Sequence, residues 1–553
     1  MIKFICKSPL ISRSFPSASI LLVPSFTLTG KGTITTIKRS LYFMSNQVVQ
    51  NIIPKNQQDK IINHIHDQLS ASVPTRFYLN SSDCNSIKFL YNPNDFYQTL
   101  LKNILLAKQR IFLTSLYLGK DEHEFIQTLD TALTNNPNLK VHFLLDGLRS
   151  TREFPEDSST TLVAKLISEH GPKRVQFRLY RTPAFHGWKS HLIPKRFNEG
   201  LGLQHMKFYG FDDDKIILSG ANLSNDYFTN RQDRYWLFQN NELNNYYFQI
   251  LQLIGSLSYK VEINADSGEI AGLPYLIWPK DNATIEPLKN KTQFLRDSSL
   301  IITKFLHDKK TIEPKNTVKD WDTVIFPISQ FTPLFKHSLV DKSTELPTIL
   351  LLFDIMRNIN FKNNPNINWS FTAGYFNLFP SIRRAMLESN CTNSNVITAS
   401  SKANGFYESK GVSKHLPGAY LHLAYKFLKQ VNKSDSHVLV KEWENGVHNR
   451  PNGWSYHAKG IWFYFGNTQN NTFQPFLTIL GSSNYTRRSY SLDLESNIVI
   501  LTKNESLQNK LHNELNHLLK NTKDVTLNDF KEDPEKHVKS GVKIATKLLG
   551  RRL

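Results

Sequence analysis

The sequence predicts an α/β fold of two related lobes. Each is a mixed β-sheet flanked by helices, and the lobes are arranged with pseudo-twofold symmetry and an active site between them. Three observations predict it. Strand-like and helix-like segments alternate along most of the chain, an order that builds sheets with helices outside them. A short pattern appears twice, about 250 residues apart: His205-x-Lys207 followed by Asn222, and His457-x-Lys459 followed by Asn484. The elements around the two copies also fall in the same order, so the repeat extends beyond the motif.

In the first half, Asp95 to Leu106 carries apolar residues at helical spacing and predicts a helix. Arg110 to Leu118 predicts a buried strand, Glu124 to Leu133 a second helix and Val141 to Leu145 another strand. His205 to Phe208 and Lys215 to Leu218 read as strands around an Asp-rich turn, with His and Lys on one face at period two. Arg234 to Phe238 is a further strand. The second half repeats this order: strand Asn368 to Tyr375, helix Ile382 to Leu387 after Pro380, and strand Asn395 to Ala399. The strand pair His457 to Phe465 and Phe476 to Leu480 follows, and Asn497 to Leu501 closes the lobe. Thr114 precedes His205 by 91 residues and Thr372 precedes His457 by 85. From His to Asn the separation is 17 in the first copy and 27 in the second, which predicts a longer loop around Asn467 to Gln474. The expected division is 1–58 as leader, 80–261 as first lobe, 262–291 as linker, 292–522 as second lobe and 523–553 as a basic tail. In that tail Val538, Val542, Ala545, Leu548 and Leu549 are expected on one face of a basic amphipathic helix suited to an anionic membrane.

A formal charge of +20 in 553 residues, with pI near 9.5, implies an anionic partner but does not choose among nucleic acid, lipid and phosphorylated metabolite. The first acidic residue is Asp59; before it come Lys3, Lys7, Arg13, Lys31, Lys38, Arg39 and Lys55 among many Ser and Thr. Basic, Ser-rich and acid-free describes a mitochondrial transit peptide. The apolar run Ile20 to Val23 is short and stops at Pro24, which suits a secretory signal poorly. Without those seven residues the charge of +20 falls to +13, so the remainder is still basic. Cys6, Cys84 and Cys391 are too widely spaced for a disulfide framework or a metal site. No run of 18 apolar residues is present, so no transmembrane helix is expected; Leu346 to Met356, broken by Pro347 and Asp354, predicts a core element.

Eleven residues beyond each motif Asn stands a carboxylate, Asp233 after Asn222 and Glu495 after Asn484. Two His, two Lys, two Asn and two carboxylates suit one task, which is gripping a phosphate diester and attacking it. A neutral imidazole is a nucleophile toward phosphorus. A second imidazole across the phosphate can protonate the leaving oxygen. Two ammonium groups and two amides neutralise charge growing on the phosphoryl oxygens, the task Mg²⁺ has in kinases, so no metal is required. A carboxylate behind each imidazole holds its tautomer and orientation.

The paired motif, with Gly481-Ser482 in the second copy and Asp212 five residues after Lys207 in the first, resembles the phospholipase D superfamily. This implies that His205 and His457 face each other across one site, one as nucleophile and the other as general acid and then base. We assign His205 as nucleophile and His457 as acid. The resemblance also implies catalytic places for Lys207, Lys459 and Asp212, and phosphate-binding or supporting places for Asn222, Asn484 and Ser482. It implies Asp233 and Glu495 as the carboxylates orienting His205 and His457. Two departures stand out: Tyr464 occupies the Asp position of the second copy, and the first copy has Ser219-Gly220 where the family has Gly-Ser.

The acid-free leader, the stretch GANLSNDYFTNRQDRY from Gly220 and the unequal second motif look like the mitochondrial phosphatidylglycerophosphate synthases of that superfamily. The implied reaction joins CDP-diacylglycerol and glycerol 3-phosphate into phosphatidylglycerophosphate and CMP, the committed step to phosphatidylglycerol and cardiolipin, with no cofactor. The implied setting is an anionic membrane surface, peripheral on the matrix side of the mitochondrial inner membrane, with no nucleic acid. Arg231, Arg234, Arg487 and Arg488 are candidates for holding substrate phosphates. The rivals are a nuclease, phospholipase D or tyrosyl-DNA phosphodiesterase, another phosphatidyltransferase making phosphatidylserine or cardiolipin, and an inactive membrane scaffold. Intact His and Lys in both motifs oppose the last.

Overall fold

The computed structural model describes residues 53–79, 84, 86–187, 192–264, 272–307, 321–363, 367–434 and 436–550, so the expected targeting segment lies almost wholly outside the described residues. Two nine-stranded mixed sheets form the frame. In the first, six strands run in the order Val175–Tyr180, Lys140–Asp146, Arg110–Thr114, Phe208–Phe211, Lys215–Ser219, Tyr235–Gln239. In the second the order is Val438–Trp443, Ser394–Ala399, Ile367–Ala373, Lys459–Asn467, Thr472–Gly481, Glu495–Thr502. Element for element these are the same sheet. In each, the first three strands are mutually parallel and the last three antiparallel. The predicted pseudo-twofold pair of α/β lobes is the observed architecture.

Both faces of each sheet are covered, which is why most strands are apolar throughout and not alternating. On the outer face of the first sheet, Ile111, Leu113, Ile217 and Leu237 pack with helices Pro93–Leu106, His123–Asn135 and Ser159–His170. On its inner face, Phe112, Phe208, Leu218 and Trp236 share one core with Ile325, Trp462, Leu480 and Ile498 of the second sheet. Helices Asn241–Gly255, Lys291–His307 and Glu505–Leu519 fill that shared core. The lobes are thus joined by a buried apolar layer, and both lie in one compact unit, Ile53–Leu553.

The element boundaries cross the expected domain limits. Helix Lys55–Ser72 runs across the expected limit at 58 and sends Ile61, Ile62, Ile65 and Leu69 into the outer core of the second lobe. Strand Phe77–Leu79 forms the edge of the second sheet beside Thr323–Gln330, although it precedes the whole first lobe. Pro274–Ile277, inside the expected linker, is the edge strand of the first sheet. Thr522–Val525, at the start of the expected tail, closes the second sheet beside Val438–Trp443. The ten extra residues of the second motif are not a longer loop. They lengthen the hairpin, whose strands have nine and ten residues against four and five in the first lobe. Leu346 to Met356 lies in the N-terminal part of helix Glu345–Asn363, and Cys84 and Cys391 are both buried.

Candidate active site

Backbone pairing between the lobes sets the site. Gln204, just before His205, bridges in parallel to Leu494, just before Glu495, and the His205 amide donates to the Leu494 carbonyl at 2.9 Å. The mirror arrangement holds opposite: Tyr456, just before His457, pairs in parallel with Gln232, just before Asp233, and the His457 amide donates to the Gln232 carbonyl at 2.8 Å. Each histidine is therefore delivered to the other lobe's carboxylate. His205 Nδ1 lies 3.1 and 3.0 Å from the two oxygens of Glu495, and His457 Nδ1 lies 2.6 Å from Asp233 Oδ2. The expected pairing of Asp233 with His205 and of Glu495 with His457 is reversed. Within one sheet, the strand leading from each His-x-Lys and the strand after each carboxylate are separated by a third, about 10 Å. Only the crossed partner is within reach.

At His205, bonding of Nδ1 to Glu495 places the N–H on the carboxylate and leaves Nε2 its lone pair; at His457, Lys459 Nζ also approaches Nδ1 at 2.5 Å and Nε2 at 3.2 Å. Burial lowers the His205 imidazole below its usual 6.5, although Glu495 opposes this. Burial, Lys459 and Arg231 lower His457 well below that value. Burial works to raise Glu495, but His205, Lys207 and the Ser482 hydroxyl, 2.5 Å from Oε2, hold it below 4.5. Burial raises Asp233 above 3.8 against the pull of Lys459. Both imidazoles are thus neutral in the resting site.

Each lysine folds back on its own motif. Lys207 Nζ donates to the His205 carbonyl at 2.5 Å and Lys459 Nζ to the His457 carbonyl at 2.8 Å. Lys459 also donates to Asp233 Oδ2 at 3.4 Å. Burial brings Lys207 down to about 7, with Glu495 opposing and Lys459 adding to it; burial, opposed by Asp233, brings Lys459 to about 8. Two buried ammonium groups beside the paired imidazoles make a place for an anion.

The two histidines differ at Nε2. The Tyr227 hydroxyl lies 3.2 Å from His457 Nε2 and accepts from Asn222 Nδ2 at 3.1 Å. His205 Nε2 makes no hydrogen bond among the described residues. Tyr227 and Tyr375 meet the His457 ring edge-on at 5.1 and 5.4 Å, and the Arg231 guanidinium lies 4.7 Å over Tyr227. Arg231 is itself engaged by Asp226 and by the Ser455 hydroxyl. None of these tyrosines is part of the motif. Tyr227 lies in the stretch after Gly220 that carries the family resemblance, which was the available signal. Gln204 and Asp146 also lay outside the motif reading: the Gln204 amide donates to Asp146 Oδ2 and its side chain donates to the Ser115 carbonyl, fixing the approach to His205.

Several expected site residues stand elsewhere. Asp212 sits at the far end of Phe208–Phe211, where its carboxylate accepts the backbone N–H groups of Lys108, Gln109 and Arg110. Its counterpart Tyr464 makes the equivalent tie by donating to the Trp369 and Asn393 carbonyls. Asn222 holds Tyr227, and Ser482 holds Glu495. Asn484 Oδ1 is buried with no hydrogen-bond partner among the described residues. Arg234 is 1% exposed and bound to Glu514, and Arg488 is bound to Asp493 and the Glu199 carbonyl, so neither is available to phosphate. Arg487 remains half-buried.

No family model matches the sequence. The chain is 53% identical over 496 residues to a CDP-diacylglycerol–glycerol-3-phosphate 3-phosphatidyltransferase of Saccharomyces pastorianus, covering 89% of this chain and 92% of the relative. It is 31% identical over 489 residues to the mitochondrial enzyme of that name from Homo sapiens, covering 84% and 82%. The chain belongs to the CDP-diacylglycerol–glycerol-3-phosphate 3-phosphatidyltransferase family. Among solved structures, a phosphatidylserine synthase of Haemophilus influenzae superposes with a TM-score of 0.61 at 18% identity, covering 89% of this chain and 97% of that one. That likeness shows a shared fold. Membership in the family accounts for a two-histidine site built to hold a phosphate diester.

Proposed function

We propose that this chain transfers the phosphatidyl group of CDP-diacylglycerol to glycerol 3-phosphate and releases CMP, through a phosphatidyl-histidine on His205. The observation that carries the mechanism is the crossed pair, His205 on Glu495 and His457 on Asp233, with Lys207 and Lys459 buried between. Glu495 keeps the His205 proton on Nδ1, so the open Nε2 lone pair attacks the phosphorus that bears diacylglycerol. The P–O bond to CMP breaks, and a proton on His457 Nε2 goes to the departing oxygen. His457 is neutral before substrate arrives; the charge of the diphosphate beside it raises its affinity for that proton. In the second half the glycerol 3-phosphate hydroxyl gives its proton to His457 Nε2. Its oxygen attacks the same phosphorus, and the P–N bond to His205 breaks. Lys207, Lys459 and the Asn484 amide neutralise the phosphoryl oxygens in both halves.

The assignment of His205 as nucleophile is supported by the contrast at Nε2, without a hydrogen bond among the described residues on His205 and approached by Tyr227 and Lys459 on His457. The setting is mitochondrial. The named relatives and the acid-free N-terminal sequence support that reading, and among the described residues no helix is long and apolar enough to cross a membrane. A peripheral position on the matrix side of the inner membrane completes the proposal.

The test gives the purified protein labelled CDP-diacylglycerol in EDTA with glycerol 3-phosphate, serine, phosphatidylglycerol or an oligonucleotide. CMP release is expected with glycerol 3-phosphate and in spite of chelation; strict dependence on Mg²⁺, or cleavage of the oligonucleotide alone, sinks the reading. His205→Ala is expected to lose more than about 10³-fold in turnover. A short pulse of labelled substrate should leave an alkali-stable label on His457→Ala and none on His205→Ala. The opposite pattern reverses the two roles.

A further inference from the structure

The last helix, Ser540–Leu549, lies against helix Leu416–Ser434. Its residues do not share one face as the sequence reading expected. Val542 and Val538 point inward: a Cβ on Gly418 would be 3.7 Å from Val542 Cγ1 and 3.9 Å from Val538 Cγ1, and Thr546 is buried. Ile544 and Leu548, one turn apart, point outward and are 62% and 74% exposed. Lys539, Lys543 and Lys547 are exposed at the same four-residue spacing beside them. The turn Gly411–His415, just before the helix that supports them, exposes Val412 between Lys410 and Lys414. From Ser409 to Ser434 the sequence has five lysines and no carboxylate, and none follows Lys536. The acids that flank these stretches in sequence are engaged, Glu408 by Arg450 and Glu535 by Lys402.

This surface is close to the chemistry. Tyr420, in the first turn of Leu416–Ser434, stacks on Tyr375 at 5.4 Å, and Tyr375 meets His457. Two residues after Tyr375, Asn377 Nδ2 donates to the carbonyl of Gly550, at the end of the last helix, at 2.8 Å.

We propose that the outward face of Ser540–Leu549, together with the Val412 turn, is the docking surface through which the chain sits on an anionic phospholipid bilayer. This rests on the phosphatidyl-transfer reading, because a diacyl substrate stays in the bilayer while its diphosphate must reach the histidines. Apolar side chains rimmed by unpaired lysines fit the headgroup boundary of such a surface. The surface lies on the side of the chain from which Tyr420 and Tyr375 lead to His457.

The test is flotation of the full chain with vesicles of phosphatidylcholine alone and of phosphatidylcholine mixed equally with phosphatidylglycerol. Two variants are compared, Ile544→Asp/Leu548→Asp and Lys539→Glu/Lys543→Glu/Lys547→Glu. The unaltered chain is expected to float with the anionic vesicles, and each variant to lose about tenfold in partitioning. CMP release from vesicle-borne substrate should fall in step, while release from detergent-dispersed substrate stays within about twofold and certifies the fold. Unchanged flotation of both variants overturns the proposal. So does a change from oligomer to monomer in either variant with flotation unaltered, since the occupant would then be a second copy. If the unaltered chain floats but transfers nothing in detergent, the functional reading fails and the docking surface stands.

Discussion

Gly220 shows how one atom divides the two half-sites. A Cβ there would lie 2.7 and 2.9 Å from the Asp233 oxygens and 3.0 Å from Lys459 Nζ. The corresponding place in the other lobe is Ser482, whose hydroxyl donates to Glu495. The half-sites have exchanged parts: a long carboxylate with a serine on one side, a short carboxylate with a glycine and a lysine on the other. Asp233 is committed to the Arg234 amide and to His457, so a serine at 220 displaces it only at the cost of the His457 hydrogen bond. Gly220→Ser, which restores the family's usual order, is therefore expected to lose about 10²-fold in kcat, the low end of an acid–base contribution. Its thermal midpoint should stay close to that of the unaltered chain. Full activity in a steady-state CMP assay would show that His457 does not depend on this contact. The catalytic residue types were legible in the sequence because chemistry restricts them. The pairing of Asp233 and Glu495 was not, because a spacing of eleven residues is the same whichever lobe the carboxylate serves.

Among the elements, the strand after Asp233 and the long hairpin of the second lobe are held together by a buried pin. Arg234, next to Asp233, meets Glu514 of helix Glu505–Leu519 through two hydrogen bonds of 3.0 and 2.8 Å. It also donates to the Ile479 carbonyl at 2.7 Å, and its guanidinium lies 4.0 Å over Trp462. Trp236 and Trp462, one from each sheet, donate their indole N–H to Glu514. Gly460 has φ of +155° and would carry a Cβ 2.0 Å from Arg234, so the pin also dictates a glycine immediately after Lys459. Removing one partner leaves a buried charge unpaired. Arg234→Met is expected to cost roughly 3–5 kcal/mol, and Arg234→Met/Glu514→Leu to regain much of it. Urea midpoints decide this; an unchanged midpoint in the single variant means the charges are solvated. Strand and helix positions were legible from periodicity, but the long hairpin was not. Its ends at Gly466, Asn467, Thr472 and Gln474 are exposed or half-buried, and polar strand ends outside the core have the composition of a loop. Helix Lys55–Ser72 carried its signal in Ile61, Ile62, Ile65 and Leu69, yet the expected division left 59–79 unassigned, between the leader and the first lobe.

Across the whole molecule, the site between the lobes buries two imidazoles and two ammonium groups beside two carboxylates, and this fixes how the activity depends on pH. In the free chain His205 must be neutral to attack, and burial holds its pKa below 6.5. Falling pH therefore removes the nucleophile only in the acid range, which sets the acid limb of kcat/KM. The lysines must be charged to receive the phosphates, and burial has brought them to about 7 and about 8. Rising pH therefore discharges Lys207 first and Lys459 next, and kcat/KM should fall between about pH 7 and 9. Bound diphosphate favours the charged form of every cation around it, so the alkaline limb of kcat should lie at least about one unit above that of kcat/KM. Initial rates at limiting and saturating CDP-diacylglycerol in detergent, across this range, test both limbs. Lys207→Arg, whose charge does not titrate here, should carry the alkaline limb of kcat/KM upward even if its rate is lower. A flat kcat/KM through this range would mean that the lysines stay fully charged in the free site. In that case water reaches them, and a pocket open to water would also hydrolyse the phosphatidyl-histidine before glycerol 3-phosphate arrives.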